Sequence, residues 1–119
     1  MKPQDFVIAY MSSIDVPYSE LFRVYKNRKG TFAKAKTYKG THIDNIRMAL
    51  AHIIKSNYRF TFGQTMSIVG YSNHSSVVRA VQKANVYLET NDKQFCKVYN
   101  QIQTVWQGLK QENQICISR

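Results

Sequence analysis

The sequence predicts an all-α fold, a compact bundle of about six helices containing a helix-turn-helix, on three observations. The chain of 119 residues holds only five Gly and two Pro, so it is poor in the residues that interrupt regular structure. Apolar residues recur at helical spacing in successive segments, and no segment repeats at a fixed period. With 44% apolar residues the length and composition suit one real hydrophobic core. The expected organisation is a single helical domain over residues 1–110, interrupted by a basic loop at about 27–40, with a flexible C-terminal tail over 111–119.

Residues 4–12 place Phe6, Val7 and Tyr10 at helical spacing, which predicts the first helix. Pro17 is suited to open a second, short helix through about residue 26, with Leu21, Phe22 and Tyr25 as its apolar positions. Thr41 begins the run THID, which reads as a capping box in which Thr41 accepts the backbone N–H of Asp44. Ile43, Ile46, Leu50, Ile53 and Ile54 follow with a clear helical period, so a helix is expected to end near Asn57. A short helix over 62–69 stops at Gly70, which can take the left-handed backbone conformation. Asn73 is a suitable N-cap for a helix over 74–88 with Val77, Val81, Ala84 and Leu88 on one face. A last helix over 92–109, behind Asn91 as its cap, carries Phe95, Val98, Ile102, Val105 and Leu109 inward.

Seventeen Lys and Arg against seven Asp and Glu leave a formal charge of +10. Charge of this size concerns partners and solubility rather than fold. Its distribution is uneven: from Leu21 to Ile43 there is no acid, while Arg23, Lys26, Arg28, Lys29, Lys34, Lys36 and Lys39 crowd the same stretch. Nothing interleaved neutralises these bases, so a polyanionic partner is expected; a solvated loop, or a short β-ribbon over 31–38, is the bland alternative.

Several classes are excluded. No apolar run approaches the roughly 18 residues that span a bilayer, and Pro3, Gln4 and Asp5 stand where a signal peptide needs an apolar core. A soluble, cytoplasmic protein is expected, with no membrane partner. Fifteen aromatic residues argue against intrinsic disorder. Cys96 and Cys116 lack metal-ligand or redox spacing, and no GxxxxGK(S/T) phosphate loop occurs, so no metal, nucleotide or other cofactor is expected. His74 beside Ser75 has neither the geometry nor the orienting carboxylate of a nucleophilic pair, so the chain is not expected to be an enzyme. His42 and His52 read as surface or packing residues.

A short helix, a Gly-containing turn and a longer helix with a polar start form the layout of a helix-turn-helix. Asn73, His74, Ser75 and Ser76 supply short hydrogen-bonding side chains that suit base edges, while Arg79 and Lys83 suit phosphate. A packing role for this helix pair, and a solvated face for the two cations, are the structural alternatives.

With these residues in view, the stretch MALAHIIKSNYRFTFGQTMSIVGYSNHSSVVRAVQKA, residues 48–84, resembles the C-terminal DNA-binding domain of the bacterial replication initiator DnaA. That family's pattern is a helix rich in M-A-L-A, a short helix ending in Gly, then a cation and Asp-His-Ser/Thr-Thr-Val opening the next helix. FVIAYMSSIDVPYSELF upstream is similar to the family's first helix and the turn after it. The resemblance implies a DnaA C-terminal-domain-like fold that binds double-stranded DNA, with Asn73, His74, Ser75 and Ser76 as the base-reading quartet in the major groove. It also implies that the basic loop reaches backbone or minor groove, Arg28 first and Lys29 second, and that Lys55 lies near phosphate; Lys26, Lys34 and Lys36 of the loop, with Arg79 and Lys83 of the helix, are further backbone candidates on their charge. Asn73 stands where the family has Asp, Ser72 where it has a cation, and the basic loop is longer than the family's. The expected function is that of a stand-alone, sequence-specific module in replication or transcription control of a small replicon or mobile element, with replication or regulatory proteins as further partners. Two alternatives are an RNA or single-strand binder using Tyr58, Phe60 and Phe62 as a stacking platform, and a protein-interaction module imitating the initiator domain.

Overall fold

The computed structural model describes residues 2–58 and 60–117, with 111–117 described through their backbone alone. The elements follow in the order α1 (Pro3–Ser13), a 3₁₀ turn (Tyr18–Leu21), β1 (Val24–Lys26), β2 (Phe32–Lys34), β3 (Thr37–Tyr38), β4 (Thr41–His42), α2 (Ile43–Asn57), α3 (Phe62–Val69), α4 (His74–Glu89) and α5 (Lys93–Ile117). Among the described residues the fold is mostly helical, with five α-helices and two small antiparallel hairpins, β1–β2 and β3–β4, in place of an all-α bundle of about six helices.

The chain departs from the expected helix and loop between residues 17 and 42. Only Tyr18–Leu21 turns helically; Val24–Lys26 is strand, and Phe22 and Tyr25 are exposed rather than inward-facing. The physical reason is local. Val24 and Tyr25 favour extended backbone, and the following Asn27 closes a tight turn onto Thr31, with Gly30 at φ +82°. This is a three-residue hairpin loop with a left-handed glycine in its last position, a geometry that matches strand twist. The expected basic loop is therefore two short ribbons, close to the β-ribbon alternative for 31–38. The Thr41 capping box does not form either: Thr41 pairs with Tyr38 in β4, and the Asp44 N–H donates to the Lys36 carbonyl at 3.3 Å.

Helix α2 lies at the centre, touched by the 3₁₀ turn and by α3, α4 and α5. Ile43, Ile46, Met48, Ala49, Leu50, Ala51, Ile53 and Ile54 are all buried, so almost its whole circumference is covered, as a central helix requires. From α1, Phe6 meets Trp106 of α5 edge to face at 5.3 Å, with Tyr10 and Met11 buried beside it. Helix α3 begins with a reciprocal cap: the Gln64 N–H donates to the Thr61 hydroxyl at 3.1 Å, and the Thr61 N–H donates to Gln64 Oε1 at 2.9 Å.

Helix α5 is capped by Asp92, whose Oδ1 accepts the Phe95 N–H at 2.9 Å, while Asn91, expected in that role, takes φ +55° in the turn before it. It continues to Ile117, past the expected end at Leu109; the remainder of the expected tail, residues 118–119, lies outside the described residues. Cys96 is half-buried, its thiol directed at the Tyr87 carbonyl at 3.7 Å; the side chain of Cys116 is outside the described residues.

Candidate nucleic-acid interface

Helices α3 and α4 are joined by residues 70–73, and each end of this turn is fixed by its own residue. Gly70 terminates α3 at φ +93°, with its N–H donating to the Met66 carbonyl at 3.1 Å. Asn73 starts α4: its Oδ1 accepts from the Ser76 N–H at 2.8 Å and from the Ser76 hydroxyl at 3.0 Å. The expected base-reading quartet thus divides. Asn73 and Ser76 hold each other, and Ser76 is half-buried, so their first task is to start the helix. His74 and Ser75 are exposed at the N-terminus of α4, where unpaired N–H groups add partial positive charge. The His74 ring also lies over the first turn of α3, close enough that a Cβ on Gly63 would come within 3.0 Å of Nε2. A glycine there leaves the imidazole its place.

Ser76, the last of the quartet, and then Arg79 and Lys83 follow on one side of α4 and line a cleft of about 190 Å³ with Asp44, Met48 and Tyr71. Burial raises the Tyr71 phenol well above its ordinary pKa, with the nearby Asp44 carboxylate adding to the shift. Arg79 and Lys83 remain exposed.

The other expected cations are treated unequally. Lys26, Arg28, Lys29 and Lys36 are exposed. Arg28 and Lys29 occupy the tip of the β1–β2 hairpin, fixed by Asn27, whose Oδ1 accepts the Lys29 N–H at 3.0 Å and the Thr31 N–H at 3.1 Å. Asn27 Nδ2 completes the cage by donating to the Thr31 hydroxyl at 2.7 Å. Lys34 is half-buried and donates to the Phe22 carbonyl at 3.4 Å; burial, then the charge of Arg47, lowers its pKa. Lys55, expected at phosphate, is turned inward instead: its ammonium donates to the Phe60 carbonyl at 2.5 Å and sits 4.3 Å from the centre of the Phe62 ring. Arg23 pairs with Glu20 at 2.5 Å and donates to the Thr37 carbonyl at 3.0 Å, tying one hairpin to the other.

Tyr58 and Phe60 pack the junction after α2 against the core while Phe62 stays exposed, so the three rings do not form one open platform. The Tyr58 ring meets Trp106 at 5.3 Å and Phe60 at 5.6 Å, and Phe62 covers Lys55. His52 bridges helices, with Nδ1 3.0 Å from the Tyr99 hydroxyl and Nε2 2.8 Å from Asn85 Oδ1.

One residue that matters was missed by sequence reasoning. Arg47 of α2 is wholly buried, its Nε donating to the Leu21 carbonyl at 2.7 Å and its Nη2 to the Glu20 carbonyl at 3.3 Å. Asp44 Oδ1 lies 3.6 Å from Nη1. Burial lowers its pKa, opposed by Asp44, yet a guanidinium so bonded keeps its charge. The signal was present: Ile43, Arg47, Leu50 and Ile54 share one helical face, so a cation interrupts an apolar stripe.

The same Leu21 carbonyl is pressed against the turn before α4, since a Cβ on Gly70 would lie 2.2 Å from its oxygen. The Tyr18 hydroxyl, one turn earlier, donates to the Ile68 carbonyl at 2.7 Å, near the end of α3. The root of the β1–β2 hairpin and the turn that launches α4 are therefore one packed joint. What results is a mostly helical domain in which the α3–α4 turn and a cationic hairpin share an anchor. No family model, no curated protein and no solved structure matches the chain.

Proposed function

We propose that this protein binds double-stranded DNA sequence-specifically, reading the major groove from the start of α4 and placing the β1–β2 hairpin on backbone or minor groove. The supporting observation is the joint at Leu21, which fixes two separately cationic elements relative to each other. His74 and Ser75 are the exposed side chains at the α4 start that can approach base edges. Asn73 and Ser76 position them through the cap, and Nδ2 of Asn73 is left as a donor for a base or phosphate. Control of replication or transcription, in the manner of a DnaA C-terminal-domain-like module, is the role this reading supports. No helix of the described residues is long and apolar enough to cross a membrane.

The test is a fluorescence-anisotropy titration on duplex DNA across a salt series, preceded by selection of a preferred site from a random pool. Lys26, Arg28, Lys29, Lys36, Arg79 and Lys83 are exposed, and if each neutralises one phosphate, log K falls against log salt with a slope of about −5. His74→Ala costs about 1–3 kcal/mol on the selected site and little on random duplex. A flat salt dependence overturns the DNA reading, and equal losses on both duplexes overturn base reading by His74.

A further inference from the structure

The β1–β2 hairpin carries a feature that phosphate binding does not need. All three residues of β1 are exposed, and on β2 Phe32 is 73% exposed, more than any other large apolar side chain among the described residues. Register places Phe32 opposite Lys26, and Val24 opposite Lys34. Cross-strand partners share a face, so this side of the ribbon alternates apolar groups with cations. Arg28 and Lys29 stand at the adjoining tip, held by the Asn27 cage, and no acid occurs between Leu21 and Ile43.

Val24 and Phe32, 47% and 73% exposed on this one face, make an apolar strip along an exposed ribbon, the kind of surface that a partner covers. The surrounding cations define that partner as one with apolar faces set between rows of negative charge. Stacked base pairs between two phosphate backbones have this arrangement. Lys26, the cross-strand partner of Phe32, lies five residues beyond Leu21, and the root at Leu21 is packed against the turn that starts α4. A duplex engaged by α4 is thereby within reach of the ribbon.

We propose that Phe32 is a wedge: it enters between two base pairs from the minor groove, partly unstacks them and kinks the duplex, while Lys26, Arg28 and Lys29 hold the flanking phosphates. This rests on the duplex-DNA reading above and extends it from binding to deformation. Unstacking has an energetic cost, which is offset because a bent duplex lies closer along the ribbon and its cations.

The test uses the full chain and a duplex of about 30 base pairs carrying a donor and an acceptor dye at its ends, with energy transfer reporting the bend. The wild-type protein is expected to raise transfer by an amount equivalent to a kink of about 20–90°. Phe32→Ala is expected to bind within about tenfold of wild type and leave the duplex straight, whereas Phe32→Leu, which retains an apolar wedge, restores the kink. Phe32 is exposed, so neither variant disturbs the core, and an unchanged circular dichroism spectrum verifies this for each. A wild-type complex that is tight but straight overturns the wedge and leaves the DNA reading intact; failure to bind duplex at all overturns both. Equal bending by wild type and Phe32→Ala also overturns it. So does a Phe32 dependence seen only on oligo-dT or on phosphatidylserine vesicles, which would assign the ring to single strands or to lipid.

Discussion

Replacing Gly70 with alanine probes the joint between the hairpin and the α3–α4 turn, because two separate costs meet at this position. Gly70 sits at φ +93°, and an L side chain in the left-handed region costs about 1–2 kcal/mol. A Cβ there would also lie 2.2 Å from the Leu21 carbonyl oxygen and 2.7 Å from its carbon. Normal contact requires the carbonyl to retreat by about 1 Å. That oxygen accepts the buried Arg47 Nε–H at 2.7 Å, and losing a hydrogen bond to a charged group costs roughly 1.5–3 kcal/mol. Together the substitution is expected to destabilise by about 3–5 kcal/mol. Gly40 supplies the control: its φ is +85°, yet an added Cβ would meet nothing within 4 Å, so Gly40→Ala carries the backbone cost of about 1–2 kcal/mol alone. The smaller unfolded-state entropy of alanine offsets about 0.4–1 kcal/mol in both variants and cancels in the comparison. Urea unfolding followed by circular dichroism reads the difference. With a slope near 1–3 kcal/mol per molar, the Gly70→Ala midpoint is expected roughly 1–5 M below wild type and well below that of Gly40→Ala. Equal midpoints for the two variants would refute the close approach of Leu21 to the turn.

Three further outcomes follow from the same structure. Arg47→Met leaves the Leu21 and Glu20 carbonyls without their donor and is expected to cost about 2–4 kcal/mol in urea unfolding, and Arg47→Lys, with no planar fork, does not restore the loss; wild-type stability in either variant would contradict the clamp. Asn73→Ala removes the α4 cap and is expected to cost about 0.5–2 kcal/mol, while Asn73→Asp keeps an acceptor for the Ser76 N–H and stays close to wild type; a matching loss in both would count against the cap. Burial pushes the Tyr10 phenol from 10.0 up to about 12, so between those values the unfolded chain releases a proton that the folded chain keeps. Stability present below pH 10 therefore falls as pH rises through this window, by up to about 2–3 kcal/mol, and Tyr10→Phe is expected to flatten the fall in urea titrations over the alkaline range. An unchanged pH profile in that variant would assign the alkaline loss elsewhere.

The helices were legible where their determinants are local. Gly70 and Asn73 mark the end of α3 and the start of α4 because a left-handed stop and a side-chain cap are written in single residues. The apolar period of α2 is equally local, and so its length was readable. The segment from 17 to 42 was less readable, since Leu21, Phe22 and Tyr25 fit a helical period as well as a strand. Asn27 with Gly30 three residues later was the available counter-signal, but its force depends on side-chain bonds to Lys29 and Thr31 that spacing does not display. Thr41 failed as a cap because its backbone is committed to Tyr38 in β4, a competition that exists only once the hairpin forms.

The candidate interface shows the same division between what a list of charges reveals and what packing decides. Residue counts treat Arg23, Lys34, Arg47 and Lys55 as equal members of the excess charge, yet each donates to a backbone carbonyl within the fold. Arg23 and Arg47 also face carboxylates, and three of the four donate to carbonyls in or beside the hairpins and the 3₁₀ turn. Lys26, Arg28 and Lys29 on the hairpin, and Arg79 and Lys83 on α4, remain exposed to solvent. Cations that hold the joint are therefore largely distinct from cations that project from the two elements it joins. Fixing them sets the relative placement of two cationic elements; on the proposed duplex-DNA reading this would lower the ordering cost of a two-point contact and make the spacing of that contact a property of the fold.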